Sequence, residues 1–225
     1  MIAINQYRIE SVTSRDKIQE VEELVYTKYK EKKFCSDRMD VQKSLRKKNK
    51  ITLGIYEENM LCATLTLAFD MPEKKLPSEH LYKEDIDAFR MQGHKIVELT
   101  KLSSVAGKED ALYFLFILSF MFTQKVLYTD MIALIEPHHL FYYRSKFNFE
   151  ILGQEKKDFK AEGAPSLLIG LDVKNAIKDV LFHKNKRRNQ ILLLTLMNTE
   201  FISQYKSFII DELEKLDLKE ELLCV

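Results

Sequence analysis

The stretches EPHHLFYYRSKFNF, residues 136–149, and APSLLIGLD, residues 164–172, predict how the fold closes. The apolar strand before them stops at Pro137, because proline has no N–H to donate to a strand ladder. Residues 140–144 predict a short aromatic helix, and residues 167–173 predict the last strand of the core. The predicted order is therefore a strand end, a proline break, a short helix, a short strand, a polar loop and a final strand.

The chain before this stretch predicts a mixed sheet flanked by helices. Alternating residues predict strands at 7–12, 51–56, 61–69, 95–105 and 132–135. Apolar residues at helical spacing predict helices at 18–29, 40–46, 84–91 and 111–126. Ser14 is the expected N-cap of the first helix and Asp110 that of the last. The last helix is apolar nearly all round, which indicates that it is buried.

The composition changes after Val173. A basic cluster at residues 184–188 precedes a predicted helix at 199–216 that has one apolar face. Such a helix could cover an apolar channel, mediate dimerisation or lie on a membrane surface, and its apolar face alone does not separate these roles. We therefore expect a folded domain over residues 1–175 and a helical extension over residues 176–225.

Composition and charge exclude several classes of protein. The chain has 225 residues, 46% of them hydrophobic, and its 35 basic and 34 acidic residues leave a formal charge of +1, which argues against a dedicated nucleic-acid binder. Its three cysteines, Cys35, Cys62 and Cys224, are far apart and predict neither a disulfide framework nor a metal knuckle. The longest apolar runs fall short of the roughly 20 residues of a membrane span. We expect a soluble, cytoplasmic protein.

The closing stretch resembles a known enzyme family. It fits the pattern P-x-H-x-x-[FY]-Y-x-x-x-[LF]-x-F, followed by A-P-x-L-L, and the ordered segments ATLTL (63–67), D-x-P (70–72), LP (76–77), LY (81–82) and VELTKL (97–102) precede it. Together these segments, within residues 22–173, resemble the N-acyl amino acid synthase family, which is related to the GNAT N-acyltransferases and the acyl-homoserine-lactone synthases. Asn148 stands where the family usually has glycine, and Lys101 where arginine is commoner.

The resemblance implies both a fold and an activity. The implied fold is an α/β (α+β) GNAT-like acyltransferase fold, with a central, mixed and mostly antiparallel sheet flanked by helices. The implied activity is transfer of a fatty acyl group from a phosphopantetheine thioester to the amine of an amino acid or a similar small amine. The thioester, of acyl carrier protein or less favourably of coenzyme A, would be a co-substrate, with no permanently bound cofactor.

Glu98 is the first candidate for a catalytic residue. Alternation along the predicted central strand puts it on the same face as Thr100 and Leu102, with Lys101 on the opposite face. An attacking ammonium must lose a proton before it reacts, and a carboxylate with a raised pKa in a half-buried setting suits that task. The alternative is a structural glutamate that pairs with Lys101 or another base.

The junction between this strand and the apolar helix is a candidate for binding the acyl donor. In GNAT enzymes this junction offers backbone N–H groups to a pyrophosphate. Here it has one glycine, Gly107, and lacks the usual glycine-rich run, which favours a donor with a single phosphate; an ordinary loop is the alternative. The expected donor-binding residues are Thr100, Lys101, Leu102, Ser103, Val105, Gly107 and Lys108.

Two aromatic features complete the candidate site. Tyr143 corresponds to a tyrosine that lies near the leaving thiolate in many GNAT relatives, although packing against the sheet is an alternative role. The apolar helix would line a channel for the acyl chain with Leu112, Phe116, Leu118 and Phe122. Pro137 and His139 match the family pattern, and His139 could equally cap a helix or sit in the core.

A metal site is not expected at the two adjacent histidines, His138 and His139. Neighbouring residues are expected to point in different directions, and the sequence suggests no third ligand near them.

Two basic clusters are candidates for contact with an acidic carrier protein, although a solvated surface is the usual role of such clusters. Their members are Lys43, Arg46, Lys47 and Lys48 in the first, and Lys184, Lys186, Arg187 and Arg188 in the second.

Two other functions remain open at this stage. One is a signal synthase that acts on S-adenosylmethionine, which the absence of tryptophan disfavours, because homoserine-lactone synthases share a tryptophan-bearing motif. The other is a catalytically inactive acyltransferase-like domain that binds a lipid or a protein partner.

Overall fold

The computed structural model describes residues 2–4, 7–32, 49–176 and 199–214. The predicted helix at 40–46 and both basic clusters lie outside the described residues. The strands are β1 (Ile2–Ile4), β2 (Tyr7–Ser11), β3 (Lys50–Glu57), β4 (Met60–Phe69), β5 (Ile96–Ser104), β6 (Asp130–Ile135), β7 (Glu150–Ile151), β8 (Lys156–Asp158) and β9 (Ala164–Asp172). The α-helices are α1 (Arg15–Glu31), α2 (Glu79–Met91), α3 (Glu109–Lys125), α4 (Leu140–Phe147) and α5 (Thr199–Glu214).

One sheet organises these elements. Its strand order is β1-β2-β3-β4-β5-β6-β9-β7. Strand β7 pairs with residues 169–170 of β9, and β8 pairs with residues 164–166 of the same strand. Among the described strands, β5 and β6 are parallel and the other pairs are antiparallel. The parallel pair is possible because α3 carries the chain from the end of β5 back to the start of β6, as parallel strands require. The predicted mixed, mostly antiparallel sheet is confirmed.

Helices cover both faces of the sheet. The main core lies on the face of α3 and α4, where alternate residues of the central strands meet buried residues of α3 such as Phe116 and Phe122. The opposite face carries α1, whose Val21 and Val25 are buried, and α2. Because a central strand is covered on both faces, nearly every residue of β3 and β4 is buried.

Helix α5 packs on the main core rather than standing apart from it. Its Phe208, Ile209 and Leu213 are buried in the same apolar cluster as α3, and the ring of Phe208 meets that of Phe122 edge-on at 6.2 Å. No helix in the described part of the chain is long and apolar enough to cross a membrane.

The helix ends confirm one predicted cap and correct another. Ser14 caps α1 as predicted, and its Oγ accepts a hydrogen bond from the Lys17 backbone N–H at 3.3 Å. The predicted cap at Asp110 is wrong, because α3 already begins at Glu109 after Lys108. Helix α2 begins at Glu79, five residues before the predicted start of 84–91, because the chain turns into the helix directly after Pro77 and Ser78.

Asn148 ends α4 in the left-handed conformation, with φ of 64°. Asparagine tolerates this conformation better than most residues, so it can replace the glycine that is usual at this position.

The aromatic core around Phe116 generates a stability prediction. This ring is fully buried and stacks on Phe147 at 4.1 Å, so Phe116→Ala should lower the free energy of unfolding by about 3–5 kcal/mol in urea denaturation. The control is Phe141→Ala, because the Phe141 side chain is 81% exposed and its removal should change stability by less than about 0.5 kcal/mol. Equal losses in the two variants would contradict this packing.

Candidate active site

The parallel pairing of β5 with β6 stops early. It comprises four residue pairs, and the last joins Leu99 to Ala133. Beyond this point β5 runs on to Ser104 paired with β4, while β6 leads into the turn that begins at Pro137. We call the space between the two strand ends the strand gap. Backbone groups of β5 that face the gap have no ladder partner in β6, so they can contact a ligand.

A β-bulge in β5 lies at the strand gap. Thr66 of β4 pairs with Thr100, but Thr64 pairs with Ser103, so β5 contains one extra residue between these pairs. Lys101 lies in the bulge and has a positive φ of 56°. Bulges bend a strand and redirect its side chains, and they recur next to active sites.

The bulge corrects the predicted alternation along β5. Leu102 packs against the main core with Leu99, on the face opposite Glu98, although strict alternation placed it with Glu98. Lys101 is also on the other face from the predicted one, since its Nζ lies 4.8 Å from the ring centre of Tyr29 on α1. The physical reason is the extra residue, because a shift of one residue exchanges the two faces of a strand.

Glu98 is a buried carboxyl group on the face of α2. It is 1% exposed, and it lies one residue before the end of the β5–β6 pairing. Its Oε2 accepts two hydrogen bonds from Ser78, one from the backbone N–H and one from Oγ, both at 3.0 Å. The alternative pairing of Glu98 with Lys101 is therefore not the one that the structure shows.

The position of Ser78 is set by a charged cluster at the start of α2. Glu79 Oε1 accepts a hydrogen bond from the Leu76 N–H at 2.7 Å, which closes the turn that contains Ser78. The Arg90 guanidinium binds both Glu79 and Asp70, at 2.5 and 2.6 Å. Because these groups are partly buried, they hold the turn, and with it the two donors to Glu98, in one geometry.

Burial raises the pKa of the Glu98 carboxyl to about 7. Desolvation is the largest cause, and the two hydrogen bonds from Ser78 and the charge of Lys50 oppose it. A carboxyl group in this range is present in both protonation states near neutral pH, so it can accept a proton and later release it.

Tyr143 is an aromatic residue of α4 that packs against the main core. Its ring meets Phe116 and Phe149 edge-on, each at 5.7 Å, on the side of the main core. Burial raises the pKa of its phenol above the usual range, and the nearby phenols of Tyr142 and Tyr29 add to the rise. Tyr29 belongs to α1, which packs on the other face of the sheet from the main core. A neutral phenol can donate a proton or a hydrogen bond.

The predicted donor-binding residues follow β5 into α3 but do not all face the strand gap. Gly107 has a φ of 78°, which favours glycine. Lys108 Nζ binds Glu57 Oε2 at 2.5 Å, at the end of β3, and therefore points away from β6. Ser103 Oγ is buried and has no hydrogen-bond partner among the described residues. Val105 is held by a backbone hydrogen bond to Cys62 at 2.8 Å.

The four residues predicted to line an acyl channel lie on α3. Phe116, Leu118 and Phe122 are buried in the main core, and Leu112 is half-buried against it. The ring of Phe116 contacts that of Tyr143, the second predicted catalytic residue. The role of these residues as a channel stays a prediction.

The two histidines after β6 are arranged differently from the prediction. Their rings lie 3.9 Å apart rather than pointing in different directions, and Glu136 supplies the nearby third group that the sequence did not suggest. His139 makes no side-chain cap to α4. Its Nε2 is 2.9 Å from Lys32 Nζ, and burial, together with the charge of Lys32, lowers the pKa of this imidazole.

Sequence reasoning missed Ser78 and Glu136. Ser78 precedes a helix and follows a proline, which is a recognisable cap position, but its bond to Glu98 spans 20 residues and leaves no local signal. Glu136 lies within the family motif, three residues before His139. A carboxylate at this spacing from a histidine is the local signal that could have indicated their contact.

Comparison with known families identifies the chain. Residues 20–172, more than half of its length, match the family of the N-acyl amino acid synthase FeeM. The chain belongs to this family. The match agrees with the span of 22–173 over which the sequence motifs resemble these synthases. Comparison with curated protein sequences finds no significant match.

Solved structures of other proteins share the fold of this chain. FeeM, an N-acyl amino acid synthase from uncultured soil microbes, superposes with a TM-score of 0.69 at 18% identity, over 76% of this chain and 93% of FeeM. An N-acetyltransferase from Staphylococcus aureus Mu50 has a TM-score of 0.51 at 17% identity, over 77% and 100% of the two chains. The homoserine-lactone synthase LasI has a TM-score of 0.55 at 10% identity, over 74% and 90%. The GNAT-like fold is confirmed, and as a member of the synthase family the chain is an acyltransferase.

The buried Glu98 generates a prediction on stability and pH. Its pKa rises from 4.5 in the unfolded chain to about 7 in the folded one, so the unfolded state binds fewer protons between these values. Its contribution to stability is complete below about pH 4.5 and is lost as the pH rises through 7. Glu98→Gln should therefore be more stable than the wild type at pH 8, by up to about 3 kcal/mol, with the difference shrinking towards pH 5.

Urea denaturation of both proteins at several pH values measures this difference. A difference that does not change with pH would show that the carboxyl group titrates normally.

Proposed function

We propose that the protein transfers a fatty acyl group from the phosphopantetheine thioester of acyl carrier protein to the amine of an amino acid or a similar small amine. The observation that carries this proposal is the buried carboxyl group of Glu98, held at the end of the β5–β6 pairing with a pKa of about 7. In a member of the N-acyl amino acid synthase family, a base is needed at this place because amino groups are protonated at neutral pH.

Glu98 acts first, as the base. Its carboxylate accepts a proton from the ammonium of the acceptor, directly or through a water molecule, and Ser78 holds it in place. The free amine then attacks the thioester carbonyl, which forms the new C–N bond and places negative charge on the carbonyl oxygen. Backbone N–H groups of β5 beyond Leu99 stabilise this oxyanion, because they have no ladder partner in β6.

Tyr143 acts in the second step. The tetrahedral intermediate collapses, the C–S bond breaks, and the thiol leaves with a proton from the phenol. Burial supports this role, because it keeps the phenol in its neutral, proton-donating form. The nitrogen loses two protons in all. The first passes to Glu98 before the attack and from there to solvent, and the second, lost as the amide forms, restores the phenol of Tyr143. The products are an amide, a free thiol and one proton released to solvent.

The loop between β5 and α3 supports a carrier-bound donor. It has one glycine, Gly107, and its Lys108 ammonium is bound to Glu57 rather than directed to the strand gap. A pyrophosphate needs several donors in one place, whereas the single phosphate of phosphopantetheine needs fewer. The basic residues at 43–48 and 184–188 would steer an acidic carrier protein by charge.

Helix α3 is the proposed wall of the acyl channel. Leu112, Phe116, Leu118 and Phe122 are its apolar lining. Contact of Phe208 with Phe122 supports a role for α5 as a cover over this channel.

The donor prediction is tested with purified protein, a mixture of amino acids and either a long-chain acyl carrier protein or the matching acyl-CoA. We expect thiol release and amide formation, detected by a thiol reagent and by mass spectrometry, to be faster with the carrier-bound donor. Faster reaction with acyl-CoA would contradict the carrier as donor. A protein that turns over neither donor would instead support an inactive, lipid- or partner-binding domain.

The base prediction is tested by Glu98→Gln. We expect kcat to fall by about 10²–10⁴-fold, because the amide accepts no proton. In the wild type kcat/KM should rise with pH through about 7, where Glu98 becomes ionised, and this inflection should vanish in the variant. The control is Glu84→Gln, which makes the same change at an exposed glutamate of α2 and should keep near-normal activity. Equal activity of the two variants would exclude Glu98 as the base.

A further inference from the structure

The turn after β6 gathers three groups that can bind a metal. The turn contains a short 3-10 helix that begins at Pro137 and includes His138 and His139, and Glu136 directly precedes it. One donor atom from each of the three lies within 4.8 Å of the others. Glu136 Oε2 is 3.5 Å from His139 Nε2 and 3.7 Å from His138 Nε2. The tight turn brings these side chains together. The cluster includes neither the proposed base, Glu98, nor the proposed acid, Tyr143.

A cation already lies against this cluster. Lys32, which ends α1, places its ammonium 2.9 Å from His139 Nε2 and 3.3 Å from Glu136 Oε2. An ammonium can only donate, so Nε2 of His139 must be the acceptor and carry its lone pair towards the centre of the cluster. A metal ion requires the same neutral form of the imidazole.

The spacing of the donor atoms is close to that of a metal site. Zn²⁺ binds imidazole nitrogen and carboxylate oxygen at about 2.0–2.2 Å, so tetrahedral donor atoms are roughly 3.3 Å apart. The distances of 3.5 and 3.7 Å from Glu136 Oε2 to the two imidazole nitrogens are close to this value, and all three donor atoms lie within 4.8 Å of one another. Two imidazoles and one carboxylate are a ligand set that suits Zn²⁺ and similar transition metals.

We propose that Glu136, His138 and His139 form a binding site for a divalent transition metal of the Zn²⁺ class, and that the Lys32 ammonium occupies this site when the metal is absent. Three protein ligands leave a coordination position for water or another small ligand. Lys32 can leave the site, because its side chain is 45% exposed and can turn to solvent. Metal binding would also release the end of α1 from the turn after β6.

Isothermal titration of the untagged full chain with Zn²⁺ tests this site. We expect saturable binding of one ion, weakened at least about tenfold by each of Glu136→Gln, His138→Ala and His139→Ala. Lys32→Ala should strengthen binding by roughly tenfold, because it removes the ammonium that competes with the metal for Glu136 Oε2 and His139 Nε2. If the cluster had only a structural role, Lys32→Ala would not bind Zn²⁺ more tightly.

The matched control is His94→Gln. His94 also pairs with a carboxylate, since its Nδ1 is 2.5 Å from Asp130 Oδ2, but this pair is not part of the three-ligand cluster. This variant should bind Zn²⁺ like the wild type, and circular dichroism should show that every variant is folded. The proposal is overturned if neither the wild type nor Lys32→Ala binds Zn²⁺, if Lys32→Ala fails to bind it more tightly, or if binding survives loss of all three ligands.

Discussion

The early end of the β5–β6 pairing is the constraint on which the rest of the site depends. β5 pairs with β4 along its whole length, but a bulge at Lys101 bends it where its parallel neighbour is lost after Leu99. A strand that kept both neighbours would have no backbone groups left for a ligand. The bulge therefore opens the sheet at its centre, where helices on both faces exclude water and strengthen polar interactions.

The burial of the Glu98 carboxyl group lowers the stability of the fold near neutral pH and provides a group that can accept a proton there. Removing a carboxylate from water is unfavourable, and two hydrogen bonds from Ser78 offset only part of the cost, which is why its pKa stays high. Such a group persists because the surrounding structure holds it: Arg90 binds Glu79 and Asp70 and so fixes the turn that contains Ser78. Perturbed carboxyl groups of this kind cluster at functional sites.

The same end of the sheet joins elements from both faces. Tyr143 packs on Phe116 in the main core, yet it interacts with Tyr29 of α1 on the opposite side. Lys32, one turn further along α1, binds Glu136 and His139 after β6. The contacts of Lys32 connect the end of α1 to the turn after β6, so metal binding at Glu136 and His139 would also affect α1.

Most of the fold and part of the site were predictable from the sequence, because periodicity, turn residues and family motifs are local. These signals determined the main strands, the buried helix α3, the left-handed Asn148, and Glu98 and Tyr143 as candidates. The tertiary structure alone decided which face Lys101 and Leu102 occupy, since one extra residue in a strand exchanges its faces without any change in composition. It also decided that Ser78 holds Glu98 and that Lys32 meets Glu136, because contacts across 20 and 104 residues depend on how the elements pack.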